Sequence, residues 1–201
     1  MLIDRTLPSF LDALSSADPT PGGGSAAALV GATGAALLAM VAGMPKTRTN
    51  AITEREALDQ AHTELMAVRE TLVALIDRDA AAYDLVVAAF RKPKATDEDR
   101  VARKAAIQDA TRVATEVPVE TIEACVDAMR AGLAPIAHGN PSAASDGKVG
   151  FRLLLAAALS AKDNVDINLG GLTDVSLQTR LREESEQLAA QAVALHAEVL
   201  G

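Results

Sequence analysis

Apolar side chains recur at three- and four-residue steps over most of the chain, the spacing of residues that share one face of an α-helix. The first run, Thr6 to Ser16, sets Phe10, Leu11 and Leu14 on one side and carries Pro8 in its first turn, where proline is tolerated. The second, Ser25 to Met44, is twenty residues without a charge. It is small and apolar all round, as suits the centre of a bundle or a subunit interface. A third run, from about Thr53 to Phe90, repeats Leu58, Leu65, Val68, Leu72, Leu75 and Ile76. Thr53 with Glu56 has the spacing of a capping box, as has Thr96 with Asp99 at the head of a fourth run that extends to about His138. Pro118 lies inside that fourth helix and is expected to kink it. Ser145 or Asp146 is expected to cap a fifth helix reaching toward Asn168, and Thr173 or Asp174 a last one.

Glycine and proline punctuate these runs at 17–24, 91–95, 139–142 and 169–172. No stretch alternates with period two. About six helices without a strand predict an all-α fold, an antiparallel helical bundle formed as one domain over 1–201.

Composition sharpens the picture. Hydrophobic residues make up 49% of the chain but aromatic ones only 2%, with no Trp, one Tyr and three Phe. The core must therefore come from Ala, Leu, Val and Met, which favour close helix packing. A net charge of −8 excludes an extended nucleic-acid surface, which needs surplus Lys and Arg. The uncharged stretch is dominated by Ala and Gly, too weakly apolar to predict a membrane span. Its many small faces predict a homodimer through that helix. One cysteine, Cys125, forms no internal disulfide, and the first residues lack a signal peptide's apolar stretch, so a reducing, cytoplasmic setting is expected. No HExxH or CxxC spacing and no nucleophile elbow is present, so neither a metal nor a covalent nucleophile is expected.

Several short constellations could carry chemistry. The turn Pro19-Thr-Pro-Gly-Gly-Gly-Ser25 lets backbone approach a ligand and opens a helix whose first amides favour negative charge. Asp77, Asp79 and Asp84 surround Tyr83, which shares a helical face with Asp79. A carboxyl turned inward there would have a raised pKa and could serve as general acid or base. Lys46, Arg48, Arg91, Lys92 and Lys94 could attract an acidic ligand tail. Asn140 and Asp146 lie at an interhelical turn, and Asn164 and Asn168 share a face from which amides could read a heterocycle. His138 is ascribed to a helix C-terminus.

Taken in order, Pro19 to Ser25, the aspartates around Tyr83, Lys92-Pro-Lys94, Thr115-Glu-Val-Pro118, Gly139-Asn140, Ser145-Asp146 and Asn164/Asn168 resemble the formiminotetrahydrofolate cyclodeaminase and methenyltetrahydrofolate cyclohydrolase family, including the cyclodeaminase domain of formiminotransferase-cyclodeaminase. The resemblance runs from about Thr6 to Glu184. It departs at Lys46-Thr-Arg-Thr-Asn-Ala51, where the family shows an Ile-Gly-Lys-Lys-Lys-Tyr-like string and Arg48 alone keeps a basic match. The resemblance implies a helical homodimer, a tetrahydrofolate derivative as substrate, no tightly bound cofactor and a formiminotransferase as a further partner. It implies Asp79 and Asp146 as acid/base groups, with Pro21, Gly22, Gly23, Gly24, Ser25, Arg48, Tyr83, Asp84, Lys92, Lys94, Asn140, Asn164 and Asn168 toward substrate. Two reactions follow from it. One closes 5-formiminotetrahydrofolate to 5,10-methenyltetrahydrofolate with loss of ammonia; the other adds water to the methenyl carbon to give 10-formyltetrahydrofolate. The residues also leave open a non-catalytic helical protein that binds a pterin-like ligand or serves as an oligomerisation module.

Overall fold

The computed structural model describes residues 1–44 and 51–201. Among them are seven α-helices and no strand: α1 (Leu7–Leu14), α2 (Gly23–Gly43), α3 (Ile52–Phe90), α4 (Asp97–Ala131), α5 (Leu133–His138), α6 (Ala144–Leu169) and α7 (Val175–Leu200). Six of them are eight residues or longer. The predicted all-α bundle is therefore the observed one.

Helices α2, α3, α4 and α6 form a ring in which each neighbour runs antiparallel to the next. Ser25 at the head of α2 meets Ile76 near the tail of α3, whereas Gly43 at its foot faces His62 near the start. Arg78 of α3 grips Glu120 of α4 through two hydrogen bonds, and Phe90 meets Arg103. Asn168 of α6 bonds Ala114 of α4, while Gly132 below α4 touches Phe151. Helix α7 lies outside, parallel to α4, tied to it by Arg180 to Glu116 and Arg130 to Gln191.

Helix α2 is long and apolar enough to span a membrane by composition alone. In the fold it is the most enclosed helix of the ring. Gly24, Ala28, Gly31, Ala35, Leu38 and Ala42 are among its buried residues. Small side chains permit this closeness: a Cβ on Gly34 would lie 2.9 Å from the Gly150 carbonyl and 2.9 Å from Leu154, and one on Gly31 would lie 3.0 Å from Cys125 Sγ. Burial pushes the Cys125 thiol up to about 12, so it serves as core and not as a nucleophile.

Helix boundaries follow the sequence with three differences. Thr96 and Asp99 do form a reciprocal capping box, but α3 starts at Ile52 with the Ala51 carbonyl as its first acceptor, and Thr53 is already inside it. The expected fourth helix runs through Pro118 and ends at Ala131, not His138. Pro135 has no N–H for the Ala131 carbonyl, and Gly132 is wedged against Leu38 and Phe151. Helix α6 starts at Ala144 without a side-chain cap, so Asp146 lies within its first turn; Asn140 instead caps the short 3-10 turn Pro141–Ala143. Asp174 caps α7 as expected, accepting from the amides of Ser176 and Leu177.

Candidate active site

One end of the ring opens into a cavity of about 440 Å³. Its walls obey helical spacing. Asp79, Tyr83, Val86 and Phe90 come from α3, Ile107, Thr111 and Ala114 from α4, and Asn164, Ile167 and Asn168 from α6, with Gly171 just beyond. Pro19, Thr20, Gly22, Gly23 and Gly24 close the top. The peptide between Thr20 and Pro21 is cis.

Gly22 is the N-cap of α2 and supplies no side chain, so the first amides of that helix need another partner. Asp79 fills the role from α3. Its Oδ2 accepts from Ser25 Oγ at 2.9 Å, and the Ser25 backbone N–H also donates to it. The same hydroxyl lies 3.0 Å from the Ile76 carbonyl. Gly24 has to be glycine for this approach, since a Cβ there would fall 2.0 Å from Asp79 Oδ1. Desolvation raises the Asp79 pKa above the usual carboxylate range; the Ser25 hydrogen bonds pull the other way without cancelling it. A half-buried carboxyl with a raised pKa, locked to a helix N-terminus and lining a cavity, is suited to giving and taking protons.

The two asparagines expose unequal ends. Asn164 spends its Nδ2 on the Ser160 carbonyl at 2.8 Å, and Asn168 its Nδ2 on the Ala114 carbonyl at 2.7 Å. Both can turn an amide oxygen to a ligand. Gln108 holds the lower rim, donating to the Gly171 carbonyl and accepting from Thr173.

The structure brings together Gly22, Gly23, Gly24, Asp79, Tyr83, Asn164 and Asn168 in this cavity, with Ser25 behind Asp79. Pro21 is buried beside the turn. Asp84 is five residues past Asp79 and so faces elsewhere, into a depression shared with Asp77, Leu2 and Arg5. Lys92 lines a separate hollow between α3 and α4, and Lys94 is exposed in the turn after it. Asn140 and Asp146 lie at the opposite end of the ring. Eighteen residues of α6 separate Asp146 from Asn164, about 27 Å along the axis at 1.5 Å per residue. Arg48 and Lys46 lie outside the described residues. The α4 wall went unseen in the sequence because Ile107, Thr111 and Ala114 have no functional signature beyond a helical step that core residues share. Among the described residues no three His, Cys, Asp or Glu side chains converge as a metal would require.

Comparison with known proteins fits this geometry. The chain is 37% identical to the methenyltetrahydrofolate cyclohydrolase of Methylorubrum extorquens over 193 residues, 96% of this chain and 93% of that one. It is 34% identical to the formimidoyltransferase-cyclodeaminase of Gallus gallus over 202 residues, which cover 96% of this chain but 37% of that larger protein. Its fold superposes on the crystal structure of formiminotetrahydrofolate cyclodeaminase from Thermotoga maritima with a TM-score of 0.87 at 26% identity, covering 99% and 96% of the two chains. The profile of the formiminotransferase-cyclodeaminase family matches residues 6–187, which take in every wall of the cavity. With its sequence, its fold and its glycine-headed cavity in agreement, the chain belongs to the formiminotransferase-cyclodeaminase family.

Proposed function

We propose that the protein is a tetrahydrofolate one-carbon enzyme that acts on the carbon bridging N5 and N10, with Asp79 as its acid/base group. The observation that carries this is the placement of Asp79, a desolvated carboxyl held by Ser25 against the start of α2 inside the cavity. Cyclohydrolase activity is the first reading, because the Methylorubrum relative so named matches along nearly its whole length. Cyclodeaminase activity is the second, favoured by the likeness to the Thermotoga structure.

In the hydrolytic direction the Asp79 carboxylate takes a proton from the water that attacks the methenyl carbon. The neutral acid then returns it to N5 as the carbon–N5 bond breaks, the remaining hydroxyl loses its proton to solvent and the formyl group stays on N10. In the deaminating direction N10 attacks the formimino carbon and its proton passes to the former imine nitrogen; protonated Asp79 supplies the second proton with which ammonia departs as the carbon–nitrogen bond breaks, leaving the methenyl cation. Both routes need one group that can take and give a proton, and a carboxyl pKa raised by desolvation makes the neutral, proton-giving form easier to reach.

The second acid/base group implied by the family resemblance, Asp146, enters through pairing of two copies. Helix α2 leaves Ala26, Leu29, Val30, Thr33, Leu37 and Met40 half-buried or exposed along one uncharged stripe. Two chains joined antiparallel along it form a homodimer that carries the Asp146 end of one copy toward the cavity end of the other. The cytoplasm is the setting that fits an unoxidised, buried Cys125. A formiminotransferase is a natural supplier of substrate, consistent with its name being joined to cyclodeaminase in the larger relatives.

The assay follows loss of methenyltetrahydrofolate absorbance, with formiminotetrahydrofolate conversion in parallel. Turnover of one or both is expected. Absence of turnover together with no measurable binding of any reduced folate overturns the proposal in favour of a helical binding or oligomerisation protein.

A further inference from the structure

Asn168 is fastened to the cavity in an unusual way. Its Nδ2 donates across the α4–α6 seam to the main-chain carbonyl of Ala114. In an uninterrupted helix that oxygen accepts from the amide four residues on, but the residue four on is Pro118, which has no N–H. Helix α4 therefore carries an open acceptor in its interior, beside the cavity wall that Ala114 itself helps to form. A carbonyl can only accept, so the end of the Asn168 amide that meets it must be NH₂. The remaining Oδ1 has no hydrogen bond among the described residues. Asn164, one turn earlier, has its Nδ2 similarly occupied by Ser160.

We propose that Pro118 is a positioning residue of this site: by withholding an amide hydrogen from Ala114, it fixes Asn168 with an acceptor oxygen available to the cavity, so that the site selects ligands that donate there. With Asn164 presenting the same polarity, the matching chemistry is an amino-substituted heterocycle with ring or exocyclic N–H groups. Assigning that heterocycle to a reduced folate rests on the function proposed above; the locking of Asn168 does not. Pro118 stands one helical turn from the wall residue Ala114, so a residue outside the lining of this cavity can set its polarity.

The test is a double-mutant cycle. Wild type, Pro118→Ala, Asn168→Ala and the double variant are compared for methenyltetrahydrofolate KM, kcat and melting temperature. Alanine restores the helix N–H, which then competes for the Ala114 carbonyl and releases Asn168. Pro118→Ala should raise KM roughly tenfold, the scale of one well-placed hydrogen bond, with kcat within about threefold. The double variant should be no worse than Asn168→Ala alone, because Pro118 acts only through Asn168. An unchanged KM in Pro118→Ala, or additive effects in the double variant, overturns the proposal. A direct measurement on unmodified protein stands beside these variants and needs neither ligand nor activity. In nitrogen-15 NMR spectra of the wild type, the Asn168 side-chain amide should exchange slowly with solvent; exchange at the rate of a free amide overturns the locking even if every variant fails to fold. Slow exchange with no binding of folate would keep the locking and remove the folate reading alone.

Discussion

Asp79 sits where two demands oppose each other, since the start of α2 favours its charged form and loss of water its neutral one. Desolvation wins, and this has a consequence for stability. An acid whose pKa is raised by folding is more often protonated in the folded chain than in the unfolded one. It contributes fully below the ordinary carboxylate range, and that contribution is lost as pH rises through the folded value. Asp79→Asn keeps an oxygen for Ser25 and removes the charge. It should melt no lower than wild type at neutral pH while kcat falls by about 10²- to 10⁴-fold, as loss of a positioned acid/base group does. A wild-type kcat in a folded Asp79→Asn protein would remove this residue from the mechanism. Ser25→Ala gives a finer test. The Ser25 hydroxyl bond lowers the Asp79 pKa, and alanine removes it while keeping the backbone N–H, so the titration of activity that depends on Asp79 should move to higher pH, visible as a shifted limb of the kcat/KM profile. A profile with both limbs in place would mean that Ser25 only packs.

At the scale of elements, glycine decides how closely α2 approaches its neighbours. Gly34→Ala would press a methyl group on the Gly150 carbonyl and Leu154 and should cost about 1–3 kcal/mol, read as a lowered melting temperature with the folate KM unchanged. Gly24→Ala strikes Asp79 itself and should abolish activity well before it unfolds the chain; full activity would contradict the contact. These helices were largely legible in the sequence, because a buried face at three- and four-residue steps is imposed by the same geometry that builds the core. Caps were less so. Thr96 with Asp99 and Thr53 with Glu56 present equivalent spacing, yet only the first pair sits at a helix start, where the chain comes out of the turn after Pro93; at the second the helix had already begun. The cavity was legible on α3 and α6, where Asp79/Tyr83 and Asn164/Asn168 stand four apart. Asp84 and Lys92 share the same neighbourhood in sequence but not the same face. The α4 wall was hidden since Thr111 and Ala114 are as ordinary on a core face as on a ligand face.

In the whole molecule, motif residues gather at two opposite ends of one ring, the Asp79 cavity at one and Asn140 with Asp146 at the other. In the antiparallel dimer proposed above, pairing along α2 would make two equivalent composite sites, each with a cavity from one copy and an Asp146 end from the other. Leu37→Glu on the α2 stripe should halve the mass measured in solution, and a mass already monomeric in wild type at micromolar concentration would contradict the pairing. If Asp79 and Asp146 work from different copies, mixing inactive Asp79→Asn and Asp146→Asn chains should recover about a quarter of the wild-type sites, by random exchange in a two-fold dimer. No recovery after demonstrated exchange would mean that the two acids do not meet across copies, and a wild-type kcat in folded Asp146→Asn would place Asp146 outside the mechanism. The spareness of the core adds something more. With no Trp and a single Tyr, and with that Tyr83 on the cavity wall and 42% exposed, the protein's tyrosine emission has one source and that source is the site. The enzyme thus carries its own optical probe: quenching by an absorbing folate reports occupancy without a label, and a change of emission lifetime reports a change at one known address.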